Sequence, residues 1–257
     1  MIRVPRPRLE TVRRHSTGQM SQGDFAVATA TTGLIDFLDR ISLGDCQGYE
    51  LRYSIPFQLG ATAAEAILAP TRSEPGVHWA AFQAEVNWVN LCGPRQNLEA
   101  AATLERYTNT LASFTLETRS GGSAVTSGRI HYARVRDTGK PAPETEAAHC
   151  EHSPERGRYS PFLLELLMNP IPPSTEPLGR RMHPLGSVPL AAAVFQAKRI
   201  APGLHPIAAT MDYVHPFGTK SGFIAEPDLL PDGRIAVTFR SASGRLLARS
   251  CVLPRDR

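Results

Sequence analysis

Ile207-Ala208-Ala209-Thr210-Met211-Asp212-Tyr213-Val214, residues 207–214, is the stretch whose reading decides the fold. From Ala209 onward apolar and polar side chains alternate, the period-2 pattern of a half-buried strand. A Pro-Phe-Gly turn at 216–218 follows, then an apolar run from Phe223 to Leu229, an Asp-Gly turn at 232–233 and a run from Arg234 to Arg240. A Ser-Gly-Arg hairpin at 243–245 leads into a last run, Leu246 to Leu253. The same order stands earlier in the chain. Ala84-Glu85-Val86-Asn87-Trp88-Val89 alternates, Gly93-Pro94 turns, and Leu98–Tyr107 and Leu111–Thr118 read as strands. A Gly-Gly turn then precedes Ala124–Val135. Trp88 corresponds to Tyr213 and Leu111 to Ile235, offsets of 125 and 124 residues. A near-constant offset over four elements indicates a duplicated module, which sets the architecture more firmly than any single motif.

Each set of strands is preceded by helical sequence. Residues 32–42 place apolar side chains at 34, 35, 37, 38 and 41, a short amphipathic helix closed by Gly44. Tyr49–Leu59 reads as a strand with Pro56 at an edge or bulge, and Ala61–Leu68 as a helix ended by Pro70. In the second half Pro161–Met168 reads as a helix cut off by Pro170, Pro172, Pro173 and Pro177. Ser187–Arg199 is the strongest helix. Ser187 serves as N-cap, Pro189 sits in the first turn, and Lys198 and Arg199 complement the C-terminal dipole. Its middle, Leu190 to Phe195, is apolar all round and predicts burial.

A buried helix wrapped by a curved antiparallel sheet, present twice, is the architecture of the hotdog fold, and the chain resembles double-hotdog thioesterases of the acyl-CoA thioesterase II type. Ile207 to Tyr213 with Pro216-Phe217, and the closing hairpin Gly244-Arg245-Leu246-Leu247-Ala248-Arg249-Ser250, carry the resemblance. Val86 to Ala102 echoes it in the first half. The resemblance implies an α+β tandem hotdog: a disordered basic tail at 1–23, modules at 24–136 and 158–257, and a linker at 137–157. The modules are expected to pair their sheets with a helix inside each. It also implies a site in the second module built from a helix Asp, a strand Thr and a closing-strand Gln. Thr210 falls on the Thr position. The Asp would fall near Pro189 or Leu190 and the Gln near Val252-Leu253, where this chain has neither.

The proton-transfer group must then come from elsewhere. Asp212, Glu65 and His215 are the candidate acids or bases, in that order, with Thr210 as an orienting donor; the alternatives are that Asp212 faces solvent, that His215 caps the strand at a turn and that Glu65 lies on the wet face of its helix. Asp212 and Thr210 share one strand face, with Met211, Tyr213 and His215 on the other. Glu65 is the one carboxylate in the helix 61–68. Gln196 either orients a carbonyl or water or is a surface amide. Trp88, Asn87 and Tyr213 are candidate lining of a substrate tunnel, and Trp79 and Phe82 either join them or pack the core. Arg95, Arg180, Arg181 and Lys198 are candidates for the phosphates of a coenzyme A arm. Two reactions fit: hydrolysis of an acyl-CoA or carrier-bound thioester, or cofactor-independent cyclisation, dehydration or oxygenation of a polyketide-like intermediate. A non-catalytic binding module is the third reading.

Composition bounds these choices. The 257 residues are 42% hydrophobic and 20% charged, ordinary for a globular chain of one or two domains. The net charge of +4 resides in residues 1–22, where Arg3, Arg6, Arg8, Arg13 and Arg14 face Glu10 alone. That start is either a tail or a transit peptide. No basic stripe interleaved with aromatics speaks for nucleic acid, and no apolar run has the length of a membrane span. Cys46, Cys92, Cys150 and Cys251 are widely spaced, as in a reduced cytoplasmic protein. The four adjacent residues His149-Cys150-Glu151-His152 cannot all reach one tetrahedral metal, so no metal is expected. No Gly-x-Ser-x-Gly elbow, phosphate loop or dinucleotide fingerprint appears, so no cofactor is expected either. An acyl carrier protein as partner and a homodimer both remain open.

Overall fold

The computed structural model describes residues 9–15, 20–30, 49–71, 76–91, 97–136, 151–160, 187–215, 217 and 222–255. The strands are β1 (Leu9–His15), β2 (Phe25–Ala30), β3 (Val77–Trp88), β4 (Leu98–Tyr107), β5 (Leu111–Ser120) and β6 (Ser123–Arg136). The second set is β7 (Arg158–Tyr159), β8 (Pro206–Tyr213), β9 (Phe223–Leu229), β10 (Ile235–Arg240) and β11 (Leu246–Pro254). Two helices, α1 (Leu51–Leu68) and α2 (Ser187–Ile200), complete the frame. All eleven strands belong to one sheet in the order β1-β2-β4-β5-β6-β3-β8-β11-β10-β9-β7, and every neighbouring pair is antiparallel. Helix α1 packs on the β2-β4-β5 half, α2 on the β9-β10-β11 half, and the helices touch each other.

The repeat legible in sequence is present in hydrogen-bond detail. The Val125 carbonyl accepts the N–H groups of both Val89 (2.9 Å) and Asn90 (3.2 Å). The Leu247 carbonyl accepts those of Val214 (2.8 Å) and His215 (3.0 Å). The donors of the two motifs are 125 residues apart and the acceptors 122. The hairpin of the first repeat turns on Gly121 and Gly122 with φ of 55° and 84°, the pair of left-handed residues that a type I′ turn requires. A second glycine requirement lies at Gly128, where an added Cβ would overlap the Glu85 carbonyl oxygen on β3.

Three expectations change. The segment 49–59 is not a strand: it forms the first half of α1, a single helix in which all residues but Arg52 and Ala66 are buried. A helix covered on every side has no polar stripe wide enough to show a 3.6-residue period, so its apolar positions mimic alternation. Pro56 lies inside it, and its carbonyl accepts the Thr118 hydroxyl at 2.8 Å. Gly60 lets the helix lie close to β5, for a Cβ there would stand 3.2 Å from Leu116 Cβ. Within the expected tail, Leu9–His15 pairs with β2 as the sheet's first strand. Within the expected linker, Ser153 bridges to Arg158 around a 3-10 turn at Pro154–Arg156. The helices expected at 32–42 and 161–168 lie outside the described residues.

The core fills the space between sheet and helices. Ala84, Val86 and Trp88 of β3 and Ala209 and Met211 of β8 point to the helix side and are buried. Around α2, Tyr159, Phe217, Phe223 and Phe239 form a ring cluster with centroids 4.7–5.8 Å apart. Such pairs add about 0.5–1.5 kcal/mol each beyond the apolar area they bury. Trp79 is buried and donates its indole N–H to Thr71 Oγ1 at 2.8 Å. Phe82 sits at a bulge between Ala81 and Gln83 and is exposed. Among the described residues no helix is long and apolar enough to cross a membrane.

Candidate functional site

Strand alternation divides the candidate residues between the two faces of the sheet. Because Ala209 and Met211 face the helices, Thr210 and Asp212 face outward, and Asp212 is exposed. Their neighbours across the ladder are equally polar: Glu85 and Cys251 flank Thr210, and Gln83 and Arg249 flank Asp212. Asn87, two places beyond Glu85 on β3, is exposed on this same outer face. A carboxylate on this face keeps its hydration, as a solvated surface requires.

His215 stands just past β8, half-buried, with Nδ1 2.9 Å from Arg245 Nη2. Partial burial, and then the Arg245 charge, hold its pKa below the usual imidazole value. Since Arg245 can only donate, Nδ1 accepts and the ring is the neutral tautomer protonated at Nε2. Tyr213 lies on the helix side opposite Ala248, packed against the core, and burial pushes its phenol pKa up.

The remaining candidates lie among the helices. Trp88 is fixed at the start of α1: its indole N–H donates to the Tyr53 carbonyl at 2.7 Å and its ring meets Tyr53 edge-on at 5.2 Å. Lys198 is engaged within the protein. It pairs with Glu50 at 3.0 Å and lies 4.7 Å over the Tyr53 ring, joining the end of α2 to the start of α1. Gln196 is not a surface amide, being 0% exposed. Its amide donates to the Pro154 carbonyl (2.7 Å) and Tyr159 Oη (2.9 Å), and its oxygen accepts from Arg199 Nε (2.8 Å). Every polar atom of that side chain is thereby engaged in tying residues 154–159 to α2. His152, from the motif at 149–152, stacks on Tyr49 and meets Tyr159 edge-on. Arg95, Arg180 and Arg181 lie outside the described residues.

Glu65 is a buried carboxylate of α1, 8% exposed. It does not stand by itself on the helix. At about 100° per residue, Ser54, Gln58, Thr62 and Glu65 fall within an arc of about 80°. All four are buried. Gly60, which touches the sheet at Leu116, lies roughly on the opposite side of the helix, so this polar line is directed away from the sheet. Ser54 donates to the Leu51 carbonyl at 3.2 Å and Thr62 to that of Gln58 at 3.0 Å. Reading 49–59 as a strand hid this line. Its signal was in the sequence, as polar residues at steps of four, four and three in an otherwise apolar run.

The structure therefore does not assemble Asp212, Thr210, Glu65 and His215 into one centre. Thr210, Asp212 and Asn87 share the outer face, His215 closes a strand end, and Glu65 lies in the helix layer with three further polar side chains of α1.

No protein-family model matches the chain, and no curated protein matches it by sequence. Solved structures of similar fold include HtdX of Mycobacterium tuberculosis, with 12% identity, a TM-score of 0.51 and coverage of 89% of this chain and 100% of that one. An acyl-CoA thioesterase II, TesB2 of Mycobacterium marinum, has 11% identity and a TM-score of 0.47, covering 90% and 93%. The 12:0-ACP thioesterase of Umbellularia californica has 9% identity and a TM-score of 0.45, covering 96% and 98%. At these identities the likeness is one of fold alone.

Proposed function

We propose that the chain is a tandem-hotdog thioesterase, with modules at about 24–136 and 158–257, acting on an apolar acyl group carried by coenzyme A or a carrier protein. The observation that carries this reading is the polar line on α1 with the Glu65 carboxylate at its end, buried in an apolar helix layer. Apolar walls with a few converging polar groups are what an acyl-thioester pocket needs. Glu65 is the proton-transfer group in this account. A water oxygen attacks the thioester carbonyl carbon while its proton passes to the carboxylate. The C–S bond then breaks and the leaving thiolate regains the proton.

The test is a panel of acyl-CoA thioesters of graded chain length, assayed for release of free thiol. The reading expects release that saturates and favours one length. Binding without release from any thioester would replace it with a non-hydrolytic reaction or a binding role.

A further inference from the structure

Gln58 is the side chain that core packing does not explain. It is 6% exposed, it sits in the middle of the polar line on α1, and among the described residues its carboxamide has no hydrogen-bond partner. An amide with this little access to water and no protein partner contributes nothing to packing, so a helix shaped only for packing would carry Leu or Met there. Ser54 and Thr62, one turn to either side, spend their hydroxyl protons on their own helix and keep lone pairs to offer. The three together present donors and acceptors with no charge.

We propose that Gln58, flanked by Ser54 and Thr62, reads a neutral oxygen function, a hydroxyl or a ketone, in the body of the acyl chain. This rests on the thioesterase reading only for the position of the reacting carbonyl. A carboxylate or phosphate in the chain is disfavoured because none of the three residues carries a positive charge. A fully saturated chain is disfavoured because it leaves the amide unpaired. Glu65 lies seven residues further along α1, a rise of roughly 10 Å. The oxygen function therefore stands well away from the thioester, not at the carbons next to it. A carboxamide both donates and accepts, so it takes either a hydroxyl or a keto group.

The experiment is calorimetry of the full chain with dodecanoyl-CoA and a positional series of monohydroxy-dodecanoyl-CoA esters, repeated with the corresponding free acids. In the wild type one mid-chain isomer should bind about tenfold more tightly than the unsubstituted chain. In Gln58→Leu, and in Gln58→Met should the first fold poorly, the preference should vanish while dodecanoyl-CoA binds as well or better. Indifference to the hydroxyl position, or a preference that survives both substitutions, overturns the proposal. Retained preference without thiol release sinks the hydrolytic reading alone. Thiol release without preference sinks this one alone. Failure of every CoA ester and every free acid to bind overturns both.

Discussion

Glu85 stands directly opposite Thr210 across the β3–β8 seam, and the internal repeat makes these same two residues equivalents, 125 positions apart. Pairs to either side exchange under that offset: Ala84 faces Met211 where Val86 faces Ala209. The local twofold of the duplication therefore runs through the Glu85–Thr210 pair. β3 and β8 thus pair at the middle of one eleven-stranded sheet among the described residues. This pairing also explains why Thr210, Asp212 and Asn87 gather on one outer surface.

Substituting the outward residues should leave the protein almost unchanged. Thr210→Ala and Asp212→Asn are expected to shift unfolding free energy by no more than about 0.5 kcal/mol, as exposed positions usually do. Urea titration of both variants checks this. A loss several times larger would place these side chains in contacts that the outer face lacks.

The seam's first-repeat side depends on a missing side chain. Gly128→Ala drives a methyl group into the Glu85 carbonyl oxygen and should cost about 3 kcal/mol, through strand displacement rather than lost contacts. Gly122→Ala, at φ 84° with open space around it, should cost about 1 kcal/mol. Equal costs at the two positions, measured by denaturant unfolding, would contradict the close approach at Gly128.

How much of this was legible beforehand follows local chemistry. The strand Phe223–Leu229 and the helix starting at Ser187 were readable because turn residues bound the first, and Pro189 in the first turn and a terminal charge pair mark the second. Helix α1 was split in two because Pro56 suggested a break and burial on all sides left only a narrow polar line to carry its period. The burial of Gln196 was invisible, since its partners lie 37 and 42 residues away in a segment without periodicity. Strand β1 was missed because five arginines near the N-terminus read as a solvated tail.

Gln196→Leu should strip the Pro154 carbonyl and the Tyr159 phenol of a buried donor. The expected cost is about 2 kcal/mol, for two buried hydrogen bonds lost while the Pro154 carbonyl keeps the Gly157 N–H. Hydrogen exchange should then quicken at Gly157 and Ala225, whose backbone pairing ties the 3-10 turn to β9. Unchanged exchange there would show that the turn is held by its ring contacts alone.

Burial raises the phenol pKa of both Tyr159 and Tyr213. A folded-state value above the unfolded one gives stability that is complete below the unfolded value, about 10, and is lost as pH rises beyond it. Stability should thus fall in the alkaline range, and Tyr213→Phe should flatten part of that fall. In a spectrophotometric titration of the six tyrosines, Tyr159 and Tyr213 should be among those that ionise only with unfolding. Free titration of all six near the ordinary value would contradict the burial.

The most direct test compares Glu65→Gln with Asp212→Asn on whichever acyl-CoA the wild type cleaves best, following thiol release. The account predicts a fall of about 100-fold or more for Glu65→Gln, the scale of lost general acid–base help, with Asp212→Asn within a factor of two. The reverse pattern, with Asp212 indispensable and Glu65 dispensable, would move the chemistry to the outer face of the sheet and contradict the account.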